Sequence, residues 1–545
     1  MKTKIIFLVL AVAGLVAPSC NNYLKEDSGD LLIPTTISEF QAMLYGSGYG
    51  RTFTDDADWI KFLTDDVEMN TLRHTIGENP PTAGLSGMEA DIMYPYQWAY
   101  NIDFKVVDKF WTGRYNNILA CNLVIDALPG INYIDSEEGK FNYLAAQAYA
   151  LRAYHFFCLV NTYALPYSAE NLGKPGVVLR LDPKVSTDNI SQARATIGEV
   201  YDQINADLVK AQEYMDKSTP SANKHLLSAA ALKVLRSRVA LFQEKWDDVI
   251  EAGEELFLET KFIFDLNSVP MKNMGLDSYH VKEGESLFYI MEPAFNNEIL
   301  FTFGDVVYTY RYLSDSGDMN SLGFRTSYSR RSSLIHAYRM TNEIAYDDSD
   351  DNVALYNDYN YETDNEIIDL RHRAYFMANL PGRRVAADSS FNSYFPIKYM
   401  RDKNKGYREN WRTVEVFLNM AEAYARKDAG ISGDAISLLN DLRVKRVRAA
   451  NYTELTPADF ASKDQLVKFI WQERRRELCF EEIMRFWDLR RQGMPRQVHR
   501  WYGTATAYET YILSEKNNNY VMQIPASEAS NTLMVSNPRD LIDPQ

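Results

Sequence analysis

The chain has 545 residues, 46% of them hydrophobic and 13% aromatic, enough for a large core and, by length alone, for two or more domains. Its formal charge of −16 would repel phosphate backbones and argues against a nucleic-acid partner. Four cysteines, at 20, 121, 158 and 479, are too scattered for a disulfide framework or a zinc cluster, and the last three sit in apolar helical settings as buried thiols.

Lys2 and Lys4 precede an apolar run, 5–17, that closes on Ala17-Pro18-Ser19-Cys20. A bilayer span needs roughly 20 apolar residues, so residues 1–19 read as a cleaved signal peptide. A cysteine just behind small residues resembles a bacterial lipobox, which makes Cys20 the expected site of lipid attachment. Since no later stretch has spanning length, the mature chain is expected to be tethered to a membrane without crossing it. Gly46-Ser47-Gly48-Tyr49-Gly50 follows a helical pattern instead of a strand, which suits a flexible loop better than a dinucleotide site.

Apolar residues recur at helical spacing over 111–128, stopped by Pro129-Gly130, and over 141–163, which is apolar nearly all round and therefore buried. His155 and Arg152 on that segment read as hydrogen-bonded core residues. Helical patterns continue over 196–215, 226–244 and 246–257, where Ala231, Ala240, Trp246, Ile250 and Gly253 alternate small and bulky groups as a tetratricopeptide-like pair does. A second such pair covers 414–427 and 433–447. The fold class is mainly α: a tetratricopeptide-like helix-hairpin scaffold, about 20–260 and 401–545, with a variable, loop-rich insert at about 261–400. Within the insert Phe301-Thr302-Phe303 and Val306-Val307-Tyr308 look like short strands, and Asp347-Asp348-Ser349-Asp350-Asp351 is loop.

Recognition of a sugar needs flat aromatic faces beside amide, carboxylate or guanidinium groups. Tyr94-Pro95-Tyr96-Gln97-Trp98-Ala99-Tyr100-Asn101 and Tyr308-Thr309-Tyr310-Arg311-Tyr312, with Arg325 and Tyr328, supply both in turn-rich settings. The candidate ligand contacts are Asp66, Tyr96, Trp98, Asn101, Tyr308, Tyr310 and Arg325; for each, packing between helix and loop is the plainer alternative. Arg474, Arg475, Arg476, Arg485, Arg490 and Arg491 are interleaved with Glu473, Glu477, Glu481 and Asp488, so ion pairs on and between helices should absorb that charge.

Several blocks resemble the SusD/RagB family of outer-membrane lipoproteins over the whole chain. They include Cys20 with Tyr23-Leu24, Asp65-Asp66-Val67, Trp111-Thr112-Gly113-Arg114-Tyr115-Asn116-Asn117, Leu151-Arg152-Ala153-Tyr154, Asp369-Leu370-Arg371, Glu473 to Leu478, Arg485-Phe486-Trp487-Asp488-Leu489-Arg490-Arg491, and Asn537-Pro538. The glycine usual after the glutamate is absent at Glu481-Glu482-Ile483-Met484-Arg485. The resemblance implies a single domain, 20–545, on the cell exterior that binds oligosaccharides or, in some members, peptides. It also implies a SusC-like TonB-dependent outer-membrane transporter as partner and no catalysis.

No His-Glu-x-x-His, Gly-x-Ser-x-Gly or Gly-x-x-x-x-Gly-Lys pattern occurs. A carboxylate pair for glycoside hydrolysis, at Asp65-Asp66 or 347–351, stays open as the enzymatic alternative. No cofactor or metal is expected; the 347–351 run offers calcium hard oxygens but lacks the glycine and distal glutamate of an EF-hand loop.

Overall fold

The computed structural model describes residues 34–50, 57–67, 94–99, 104–183, 193–269, 290–304, 328–329, 337–338, 340–344, 367–378, 393–396, 400–402, 405–406, 409–502, 508–529 and 534–545. Helix α1 (Ile37–Met43) starts at a capping box between Thr36 and Glu39. A π-helical turn, Leu44–Gly48, continues it. The glycine-rich stretch is therefore not the flexible loop expected of it. Tyr49 is buried against Gln147. A Cβ on Gly48 would stand 2.5 Å from Leu44 Cδ1, and Gly50 takes a φ of +79°, so the glycines allow close packing.

Helices α2 (Phe104–Ala127) and α3 (Glu138–Tyr163) pack together, with α4 (Ile197–Met215) laid on α3 behind its own Thr196/Glu199 capping box. α2 begins earlier than expected because the polar residues ahead of Trp111 interrupt the apolar pattern without breaking the helix. From Asn142 to Tyr163, α3 is buried at nearly every position, as its all-round apolar character requires.

Helices α5 (Ala229–Phe242) and α6 (Trp246–Phe257) form the first expected hairpin, with Glu244 left-handed in the turn (φ 56°). Strand β1 (Ile299–Phe303) follows where Phe301-Thr302-Phe303 was read as a strand. Next come β2 (Tyr328–Ser329), α7 (Leu370–Tyr375), β3 (Phe376–Ala378), β4 (Ser393–Pro396), β5 (Met400–Asp402), β6 (Lys405–Gly406) and β7 (Glu409–Arg412). β1 pairs antiparallel with β7, Phe301 opposite Trp411 and Phe303 opposite Glu409, while β2, β4 and β3 form a separate small sheet. The second hairpin is α8 (Thr413–Lys427) and α9 (Gly433–Arg443). α9 stops short of 447 because residues 444–447 turn to meet the insert, where Leu370 N donates to Arg446 O at 2.7 Å and Arg448 N to Ile368 O at 2.8 Å.

Helices α10 (Lys463–Leu478) and α11 (Met484–Arg491) lead to the hairpin β8 (Gln497–Tyr502) and β9 (Tyr508–Leu513). One core cluster runs from Ile37 through α3 and α5 to Trp487 and Ile524. The hairpins meet at Gly253 of α6, where a Cβ would stand 2.1 Å from Met420 Sδ of α8. Cys121, Cys158 and Cys479 are buried, in the apolar helical settings that their neighbours indicate.

Candidate functional site

The first aromatic region turns inward. Tyr96 and Trp98 are 0% and 1% exposed, and their rings sandwich His499 of β8 at centroid distances of 4.3 and 4.0 Å with near-parallel planes. Trp98 Nε1 donates to Leu63 O at 3.2 Å, Tyr96 Oη donates to Arg500 O at 3.2 Å, and Trp98 itself is left-handed with φ 48°. Burial pushes the His499 imidazole down to about 4, so the ring is neutral at physiological pH and carries a single N–H. Nδ1 lies 2.6 Å from Tyr96 O and Nε2 3.2 Å from Thr64 O, so one of the two carbonyls receives that proton. Asp66 is likewise inside, accepting from Arg475 Nε at 2.8 Å.

Tyr96, Trp98 and Asp66 therefore hold the fold together here, which corrects their reading as exposed ligand contacts: the turn-rich segment closes over β8 instead of facing water. Cys20, Asn101, Tyr308, Tyr310, Arg325 and the 347–351 run lie outside the described residues; of Tyr328 only its backbone, in β2, is described.

What the structure does build is the root of the insert. Arg412, at the end of β7, donates to Glu477 Oε1 at 2.7 Å and to Glu481 Oε2 at 3.2 Å, and also pairs with Glu298. Arg371 of α7 meets Asp369 at 2.6 Å, Glu473 at 2.6 Å and Glu477 at 3.2 Å. Arg446 bridges Glu298 and Glu477, both at 2.9 Å, while Arg443 and Arg476 reach Glu473 at 3.0 and 2.8 Å.

Five guanidiniums thus face five carboxylates in a dry interior, and the fork geometry of arginine lets each serve two or three partners. Burial alone would raise Glu473 and Glu477. The arginines outweigh it: Arg371, Arg476 and Arg443 hold Glu473 below the usual carboxylate range, and Arg446, Arg412 and Arg371 do the same for Glu477. Tyr375 Oη adds a bond to Glu477 at 3.0 Å, and Thr341 Oγ1 one to Asp369 at 2.9 Å. Glu298, Thr341, Asp369, Arg371 and Tyr375 come from the insert, so the network joins it to α9 and α10.

Among the described residues, buried Arg490 and half-buried Arg194 form no ion pair with an acid. Arg194 donates to Tyr163 O at 3.0 Å, Gly176 O at 2.7 Å, Val535 O at 2.8 Å and Asn537 Oδ1 at 2.9 Å, and Arg490 donates to Ala164 O. Both sit at the carbonyl end of α3, where the helix dipole presents partial negative charge. Burial without a carboxylate pushes Arg194 down to about 10 and Arg490 to about 9.

Arg152 and His155 are core residues as expected: Arg152 forks onto Asp207 at 2.8 and 2.6 Å, and His155 Nε2 lies 2.7 Å from Gly48 O. Among the described residues no group of three or more His, Cys, Asp or Glu is placed to hold a metal ion, and no helix is long and apolar enough to cross a membrane.

Comparison with known proteins bears on what this framework is for. Residues 84–241 match the family described as "Starch-binding associating with outer membrane", and residues 312–538 match the SusD family. The chain belongs to the SusD/RagB family. A curated relative, SusD-like protein P2 of Formosa agariphila, is 26% identical over 98% of this chain and 99% of its own length. Among solved structures, a SusD superfamily protein from Bacteroides thetaiotaomicron superposes with a TM-score of 0.59 at 18% identity, covering 92% of this chain and all of the other. A laminarin-binding SusD-like protein superposes with a TM-score of 0.53 at 19% identity, covering 93% and 100%. At such identities the structures speak to the fold, and they agree with the helix-hairpin scaffold of a SusD-like protein.

Within this SusD-like chain the departure at Glu482 has a structural answer. The backbone there is left-handed (φ 47°), the region glycine favours. Glu482 holds it through its side chain, which accepts from Tyr154 Oη at 2.7 Å and Trp411 Nε1 at 2.9 Å and pairs with Arg238 at 3.0 Å. Sequence reading took the arginine-rich block as scaffold but missed that it would be buried together with Glu298, Asp369 and Arg446. The available signal was the exclusive use of arginine over lysine among the leucines, phenylalanines and tryptophan of 473–491.

Proposed function

We infer that this SusD/RagB protein is a lipid-anchored, cell-surface carbohydrate-binding protein that captures oligosaccharides and passes them to a partner SusC-like TonB-dependent transporter of the outer membrane. The observation that carries the reading is the family match over both halves of the chain, one half to a starch-binding, outer-membrane-associated description, with a laminarin-binding protein among the structural neighbours. The anchor is acylated Cys20. Tyr308, Tyr310 and Arg325 of the insert, with Asn101, contact the sugar: the rings stack on pyranose faces, while the guanidinium and amide bond the hydroxyls. The buried root ties the described parts of the insert, Glu298 and 369–375, to the helices. Binding proceeds without catalysis.

Affinity electrophoresis against a panel of polysaccharides, run beside calorimetry with mixed oligopeptides, tests the ligand class; retardation by a glycan supports the reading, and heat from peptides alone overturns it in favour of a peptide receptor. Release of reducing ends from a bound glycan would instead make the protein a glycosidase. Tyr310→Ala is expected to weaken glycan affinity about three- to tenfold, the loss of one stacking contact. Metal analysis after dialysis decides whether the 347–351 aspartates hold calcium. Radiolabelled palmitate in wild type but not in Cys20→Ala checks the anchor.

A further inference from the structure

The turn between α10 and α11 carries two left-handed residues that are not glycine, Phe480 (φ 62°) and Glu482 (φ 47°). Each is a strained conformation that persists only where surrounding contacts enforce it. Besides Tyr154 of α3 and Arg238 of α5 on the Glu482 side chain, the enforcing contacts come from β7. Glu409 accepts from Glu482 N at 3.2 Å, Trp411 Nε1 donates to Glu482 at 2.9 Å, and Arg412 forks onto Glu481. β7 is also where the insert rejoins the scaffold, paired with β1 across Phe301 and Trp411.

The far side of the same turn faces the N-terminal segment 57–67. Arg485, three residues beyond Glu482, forks onto Asp65 at 2.7 and 2.6 Å, and Arg475 of α10 meets Asp66 at 2.8 Å and Asp65 O at 2.8 Å. Between the two runs a narrow cleft lined by Lys61, Thr64 and Asp66 on one wall and residues 480–486 on the other leaves this contact unfilled in the middle. Trp59, Ile60 and Leu63 anchor the segment in the core, and its contact with the turn adds directional charge pairs, which fail if the turn rotates.

We propose that the 480–482 turn is a strained latch, through which the root of the insert holds the 57–67 segment in place. When β7 shifts or loses its grip, the turn relaxes to ordinary backbone angles. Arg485 then swings off Asp65, and the segment loosens. The coupling runs in both directions, since a change at Asp65 must alter the grip on β7 by the same factor. The inference is independent of which ligand the insert receives.

Native-state hydrogen exchange on the full chain, read by mass spectrometry, tests it. Trp411→Phe keeps an aromatic ring in the core and removes the donor to Glu482 together with part of the indole's packing. Expected is about tenfold faster exchange over 57–67, where Ile60 N bonds Ala57 O and Thr64 N bonds Lys61 O, with α8 unchanged although it adjoins the mutated residue. Ser237→Ala removes an equally buried bond, from Asn419 Nδ2, that does not reach the turn, and it should leave 57–67 as in wild type. Arg485→Lys should in return quicken β7.

The proposal is overturned if Trp411→Phe quickens 480–485 without touching 57–67, if Ser237→Ala matches its effect, or if Arg485→Lys leaves β7 alone. Should Trp411→Phe not fold, Tyr154→Phe removes the other neutral donor to Glu482 and carries the same outcomes.

Discussion

The root of the insert and the carbonyl end of α3 both bury arginines, and they neutralise them in opposite ways. At the root, Arg371 and Arg412 face full carboxylate charges, and those charges outweigh burial to raise both guanidinium pKa values above the ordinary one. At the end of α3, Arg490 and Arg194 face carbonyl and amide oxygens, and burial wins. Full charges hold a cation strongly but leave a bare anion behind if the cation is removed, whereas a helix end offers less and loses less.

Arg412→Met breaks the comparison hardest. It takes a shared guanidinium from Glu298, Glu477 and Glu481 in a dry interior, with Arg446 and Arg371 still holding the first two, so the unfolding free energy should fall by about 3–5 kcal/mol in urea titration. Arg490→Met removes one hydrogen bond and also an uncompensated charge, so its cost should stay at or below about 1.5 kcal/mol; a loss equal to that of Arg412→Met would show that the helix end is as strong a partner as the carboxylates.

Acid separates regions too. Glu473 and Glu477 at the root have depressed folded pKa values, so their contribution is present above the unfolded value near pH 4.3 and is lost only as pH falls below that. His155 and His499 are depressed by burial to about 3 and about 4, which for a base means a contribution intact above about 6.5 and lost between about 6.5 and 4 as the unfolded chain takes up protons. Melting curves at pH 7, 5 and 3.5 should therefore show two stages of loss, each on the order of a few kcal/mol, with His499→Phe flattening only the first. At the small end, Lys210→Ala removes an exposed ion pair with Glu213 on α4 and should leave the urea midpoint as in wild type.

Much of the scaffold was legible because helical periodicity is a local property. The spacing of apolar residues over 196–215 and 246–257 marks α4 and α6, and the caps at Thr196 and Ser432 are visible as single letters. The site was legible only as composition. Tyr96 and Trp98 look like sugar platforms in a turn-rich string, yet whether an aromatic ring faces water or His499, some 400 positions away, is not encoded in its neighbours. The glycine-rich 46–50 stretch misled for the same reason, since a glycine that permits close packing reads in sequence like one that permits motion.

From its residues alone this protein determined its class: mainly helical, paired in hairpins, acidic, with a short apolar run ahead of Cys20, and similar throughout to the SusD/RagB family. Only the tertiary structure decided which charges are dry. Glu298, Asp369, Arg412, Arg446 and Glu477 are scattered along the chain, and nothing local distinguishes them from solvated residues. Burial and ion pairing depend on contacts between distant segments, so those five side chains acquire their shared environment when β7, α7 and α10 converge.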